Sequence, residues 1–135
     1  MIVKIEDFGK NAGKIWNTLN SYGSLPEKKL MKKTMLNSYE FYFSVGWLAR
    51  ENKIYKDGDF YLLNETNLSN RIGTNAGKIW NVLSKFGEID LKYIQKIVDI
   101  PKEDTFLAIG WLAKEGKIQT KLVRPKKAQL VFDLK

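Results

Sequence analysis

The sequence predicts a mainly α chain with small β-hairpins (α+β), built from two tandem copies of one unit of three helices and a hairpin. Three observations predict it. Residues 9–54 align with 73–118 at a constant offset of 64 and without a gap, about two positions in five being identical. Within each copy, apolar residues recur at helical spacing in stretches separated by turn residues. Each copy then closes on two short runs joined by a turn. The units are read as residues 1–66 and 67–135, joined by the polar, turn-rich stretch Asn64 to Asn70. A unit of this size buries only about 60% of its unfolded surface, so two copies gain stability by packing on each other.

The first helix of each copy carries the motif Asn-Ala-Gly-Lys-Ile-Trp-Asn, at 11–17 and again at 75–81. Asn11 and Asn75 are expected N-caps, because an asparagine side chain accepts from a free amide of the first turn. Ala12, Ile15, Trp16 and Leu19 follow at helical spacing, matched by Ala76, Ile79, Trp80 and Leu83, and Gly23 and Gly87 close the helices. Gly13 and Gly77 then fall in the first turn, where glycine costs up to about 1 kcal/mol against alanine. Close backbone packing and simple inheritance both account for them.

The second helix is short. Pro26 suits its first turn in copy one, with Leu30 and Thr34 facing inward. In copy two Asp90 is the expected cap, and Leu91, Ile94, Ile97 and Val98 are the apolar residues expected to face inward. Three-residue turns follow, Met35-Leu36-Asn37 and Asp99-Ile100-Pro101. The third helix is predicted over 38–51 and 102–115. Its inward face is Tyr42, Val45, Gly46, Leu48 and Ala49, matched by Phe106, Ile109, Gly110, Leu112 and Ala113. Hairpins are predicted at 53–63, turning at Asp57-Gly58, and at 117–132, turning through 124–127.

Three helices and a hairpin form the winged helix-turn-helix plan. The pattern Ala-Gly-x-Ile-Trp-x-x-Leu, followed by Gly-Trp-Leu-Ala-basic-Glu-x-Lys-Ile, resembles a family of prokaryotic winged helix-turn-helix domains, and both copies carry it. The family usually has one copy. The resemblance implies the fold and a nucleic-acid-binding role, and it brings no catalytic residues.

Composition narrows the function. The net charge is +8, which favours polyanions, solubility being the plain alternative. Nearly all of it is lysine. Lysine suits phosphates, whereas arginine is the usual bidentate reader of guanine. With no cysteine and no histidine, most zinc sites and most nucleophilic and acid–base arrangements are excluded, so neither an enzyme, a metal nor a cofactor is expected. The N-terminal residues lack a signal-peptide core and no apolar run is long enough to span a membrane, so a cytoplasmic protein is expected.

The expected partner is nucleic acid, DNA ahead of RNA, held mainly through phosphates. The candidates are Lys28, Lys29, Lys32 and Lys33 on helix two, with Lys92 and Lys96 in copy two, joined by Lys102, Lys121 and the wing-tip residues Arg124, Lys126 and Lys127. Lys10, Lys14 and Lys78 lie near the expected starts of the first helices, where amides also attract phosphate. The third helix, the usual groove reader of this fold, has an unsuitable outer stripe. Glu40, Ser44, Trp47 and Glu51, with Asp104, Ala108, Trp111 and Glu115 in copy two, are acidic at both ends. Trp47 and Trp111 are either covered by the wing or anchor a partner. Tyr39, Phe41, Tyr42 and Phe43 give copy one extra aromatic surface, expected to pack on the other copy or on a second chain. The alternative function is therefore a protein-interaction scaffold or homodimer that uses Tyr39, Phe41, Trp47 and Trp111.

Overall fold

The computed structural model describes residues 4–123 and 129–135. Copy one runs α1 (Ile5–Tyr22), β1 (Leu25–Pro26), α2 (Glu27–Thr34), α3 (Ser38–Arg50), β2 (Ile54–Asp57) and β3 (Phe60–Leu63). Copy two repeats it as α4 (Ser69–Phe86), β4 (Ile89–Asp90), α5 (Leu91–Val98), α6 (Lys102–Lys114), β5 (Ile118–Val123) and β6 (Gln129–Leu134). Each hairpin gains a third, two-residue antiparallel strand from the segment after the first helix, giving the orders β1-β3-β2 and β4-β6-β5. Pro26 thus precedes α2 as its extended N-cap residue instead of opening the helix, and it pairs with Phe60 in the sheet.

The first helices begin earlier than their motifs suggest. α1 starts at Ile5 behind a cap at Lys4, whose backbone N–H donates to Asp7 at 3.1 Å, and α4 starts at Ser69. Asn11 and Asn75 are therefore interior residues, and Gly13 and Gly77 lie in mid-helix. The added turns are held by tertiary packing, since Phe8 and Ile72 are buried in the opposite copy's core. Asp90 caps α5 as expected, and Asn37, the last residue of the predicted turn, caps α3. Asn37 accepts from the Glu40 amide at 2.9 Å while the Glu40 carboxylate accepts from the Asn37 amide, and Asp90 accepts from the Tyr93 amide at 2.9 Å. Ile97 departs from its expected inward position and is 42% exposed.

The two copies pack through their third helices about an approximate two-fold axis. A Cβ on Gly46 would overlap the carbonyl oxygen of Leu107, and a Cβ on Gly110 would overlap that of Phe43. These contacts are equivalent under the offset of 64. Glycine lets the two backbones touch there. Phe43 crosses into the core of copy two, stacking on Phe8 with ring centroids 4.8 Å apart and meeting Phe106 edge-on at 5.5 Å. Leu107 makes the reciprocal entry into the core of copy one. Two hydrophobic cores result, each completed by residues of the other copy.

Candidate functional site

The packing of α3 against α6 decides what those helices are able to do. The outer stripe of α3 is covered: Ser44 is fully buried, Glu40 is buried, and Trp47 and Glu51 are half-buried. Trp47 lies between Gly9 of α1 and Lys114 of α6, so a helix of its own copy and a residue of the other copy both cover it. Phe41 is wholly buried, with Tyr61 at 5.6 Å between centroids, and is withdrawn from any separate partner. Tyr39 packs edge-on against Phe43 and Phe106, within the contact between the copies. A helix buried this way has no free face for a DNA groove.

The lysines lie elsewhere. On α2, Lys28, Lys29, Lys32 and Lys33 are all exposed. Among the described residues none of them is in an ion pair; Lys33 rests over the Tyr22 ring at 4.1 Å. Lys92 and Lys96 are exposed on α5, and Lys102 is exposed at the start of α6. Lys121 is bound to Glu88 at 3.2 Å, which offsets its charge. Arg124, Lys126 and Lys127 fall outside the described residues. Lys10, Lys14 and Lys78 lie well inside α1 and α4, where the backbone amides are already used, so no helix-start anion site forms around them.

Glu27 organises the junction of α2 with the rest of copy one. It opens α2, where the helix dipole favours a carboxylate. Its carboxylate accepts from the Tyr42 hydroxyl at 2.8 Å and from the Tyr61 hydroxyl at 2.7 Å. Burial first, then the bond to Glu27, raise both phenol pKa values above the ordinary range. A phenol kept protonated in the folded state contributes stability below the unfolded value near 10 and loses it as pH rises beyond. The urea midpoint should therefore fall steeply above about pH 10, and less steeply in Tyr61→Phe; equal slopes in both proteins would contradict this.

The structure also assembles a pair of grooves that helical spacing alone does not reveal. In copy one, Gly9, Ala12, Gly13, Trp16 and Asn17 of α1 face Trp47, Leu48, Glu51 and Lys53 across an opening of about 350 Å³. In copy two, Gly73, Ala76, Gly77, Trp80 and Asn81 face Trp111, Leu112, Glu115 and Lys117 across about 310 Å³. All nine lining residues are identical between the copies, which match at about two positions in five over the whole aligned span and at about one in four outside the grooves. The available signal is the concentration of identities in the two tryptophan motifs, although their apolar spacing points to the core.

The grooves meet at the approximate two-fold axis. Glu51 receives Lys53 at 3.5 Å and Lys114 of the other copy at 3.8 Å, while Glu115 receives Lys117 at 3.6 Å and Arg50 at 3.2 Å. Lys114 also stands 5.4 Å from the Trp47 ring centre, and Arg50 stands 5.5 Å from that of Trp111. Trp16 and Trp80 remain 36% and 39% exposed. A Cβ on Gly13 or Gly77 would meet no atom within 4 Å, so close packing does not explain these glycines. Gly13→Ala and Gly77→Ala should each stabilise the fold by about 0.5–1 kcal/mol, read from urea melts; a loss of stability would show a hidden contact.

Among the described residues no group of three or more acidic, cysteine or histidine side chains is placed to hold a metal, and no helix is long and apolar enough to cross a membrane. A family model described as a winged helix-turn-helix domain (DUF2582) matches residues 3–64 and, again, 65–132. No curated protein and no solved structure matches the chain.

Proposed function

The chain belongs to this winged helix-turn-helix family, with the domain present twice, and from that premise we propose that it is a non-catalytic protein that binds double-stranded DNA through phosphates, in a regulatory role. The observation that carries the reading is the cluster of Lys28, Lys29, Lys32 and Lys33 on the exposed side of α2, free of carboxylate partners among the described residues. Lys92 and Lys96 extend it to copy two. Because α3 and α6 occupy each other, contact falls to the second helices, with Arg124, Lys126 and Lys127 as further candidates. Lysine contacts of this kind hold any sequence about equally, since phosphates carry no base information.

Titration of duplex DNA at several salt concentrations tests this. Binding should weaken steeply with salt, and replacing Lys28, Lys29, Lys32 and Lys33 by Gln should weaken it for all sequences alike. The slope of log K against log salt should shrink by about one for each phosphate that the variant no longer neutralises. An unchanged slope, or a loss confined to one sequence, would exclude α2 as the contact surface. A scaffold role is less well supported, because the aromatic third-helix surface is consumed within the chain.

A further inference from the structure

We propose that each of the two tryptophan grooves binds a nucleoside phosphate, free or within an unpaired strand, with the base stacked on the Trp16 or Trp80 indole and the phosphate toward the surrounding lysines. The sites are separate from the α2 lysines, and a base paired inside a duplex cannot enter them.

Retained identity is the first argument. The nine lining residues agree completely between copies that differ at many exposed positions: Met35 is matched by Asp99, Lys29 by Tyr93 and Lys33 by Ile97. Trp16 and Trp80 pack on the fold over most of their surface yet keep about a third of it in water, so an indole surface stays open to a ligand. The mid-helix glycines are the second argument. Gly13 and Gly77 carry a propensity cost that no neighbouring atom explains, and each precedes its tryptophan by three residues, on the same helix face. Their missing side chains leave an open slot beside an aromatic surface. A flat ring fits that shape, and every base presents a π-face to stack. The groove volumes lie at the small end for ligand sites, which suits one nucleotide.

Charge selects the ligand class. Each groove holds one carboxylate, already met by two cations: Lys53 and Lys114 at Glu51, and Lys117 and Arg50 at Glu115. Exposed Lys14 and Lys78 follow the two glycines on the helix surface. Cations therefore exceed carboxylates around each slot, as a phosphate requires. Asn17 and Asn81 add an amide, able both to donate to and to accept from a base edge.

The chain has four tryptophans and all of them line the grooves, so tryptophan fluorescence reports on these sites alone. The test titrates the whole protein with thymidine 5′-monophosphate and, separately, with single-stranded oligothymidylate. Saturable quenching is expected. Quenching by the mononucleotide identifies a free nucleotide as a sufficient ligand, and quenching by the strand alone identifies nucleic acid as the source; both support the proposal. Gly13→Leu/Gly77→Leu puts a bulky side chain into both slots from positions where the added Cβ itself meets no atom within 4 Å, and should weaken quenching by about tenfold or more. Trp16→Leu/Trp80→Leu, which changes two exposed positions, should weaken oligothymidylate binding measured by anisotropy to a similar degree. No quenching by either probe, binding without a change in tryptophan emission, or undiminished quenching in the filled-groove variant would overturn the proposal. Salt-dependent duplex binding that survives in Gly13→Leu/Gly77→Leu would leave the α2 reading intact, so the two proposals fail separately.

Discussion

Gly46→Ala is expected to cost about 3 kcal/mol or more, at the upper end for overpacking, because the added methyl has only backbone to displace. It would overlap the Leu107 carbonyl oxygen, and α6 cannot rotate that group away without breaking its own hydrogen bonds. Gly110→Ala should behave alike, since the same contact recurs there with the Phe43 carbonyl. Either variant pushes α3 and α6 apart, which also opens the equivalent contact on the far side of the axis. With both changed, the loss should approach the whole stability of an ordinary domain. Urea melts check the single variants, and near-UV circular dichroism checks whether the double variant keeps a packed core. Gly13→Ala is the control, because it adds the same methyl where there is room. If Gly46→Ala melted like the parent, the two third helices would not be in backbone contact.

Phe43→Ala is expected to cost about 3–5 kcal/mol. The ring is fully buried, stacked on Phe8 and set against Phe106 and Phe132, so its removal leaves a cavity that several aromatic walls would have to close. Phe43 belongs to copy one by sequence and to the core of copy two by position. The destabilisation should therefore appear equally in probes of both halves, as a single transition at lower denaturant. Leu107→Ala, which empties the reciprocal place in the core of copy one, should do the same at about 2–5 kcal/mol. Hydrogen exchange resolved by residue would show it. Copy two retaining full protection in Phe43→Ala would mean that the cores are independent.

These expectations also separate what is local in this chain from what is not. The repeat, the helices and the hairpins follow from periodicity and turn residues, and Asp90 caps where its chemistry says it should. Local signals mislead wherever the other copy intervenes. Asn11 has the chemistry of a cap, yet α1 continues through it because Phe8, upstream, is needed in the opposite core. Phe41 reads as surplus aromatic surface, yet it is wholly buried in the core, whereas Tyr39 packs on the other copy, one of the two places expected for that surface.

The grooves are partly legible in the sequence. Their residues stand in the two motifs that identify the repeat, but apolar spacing alone assigns Trp16 to the interior. Only the placement of α1 beside the end of α3 leaves its indole partly in water and gives Gly13 an empty neighbourhood.

By itself the amino-acid order determined the duplicated unit, its secondary structure and its excess of positive charge, because these depend on neighbours a few residues apart. Tertiary structure alone decided that the third helices face each other, that the α2 lysines stay exposed and that four tryptophans border two open grooves. Periodicity marks a face as apolar, whereas the surface that covers it comes from more than sixty residues away along the chain.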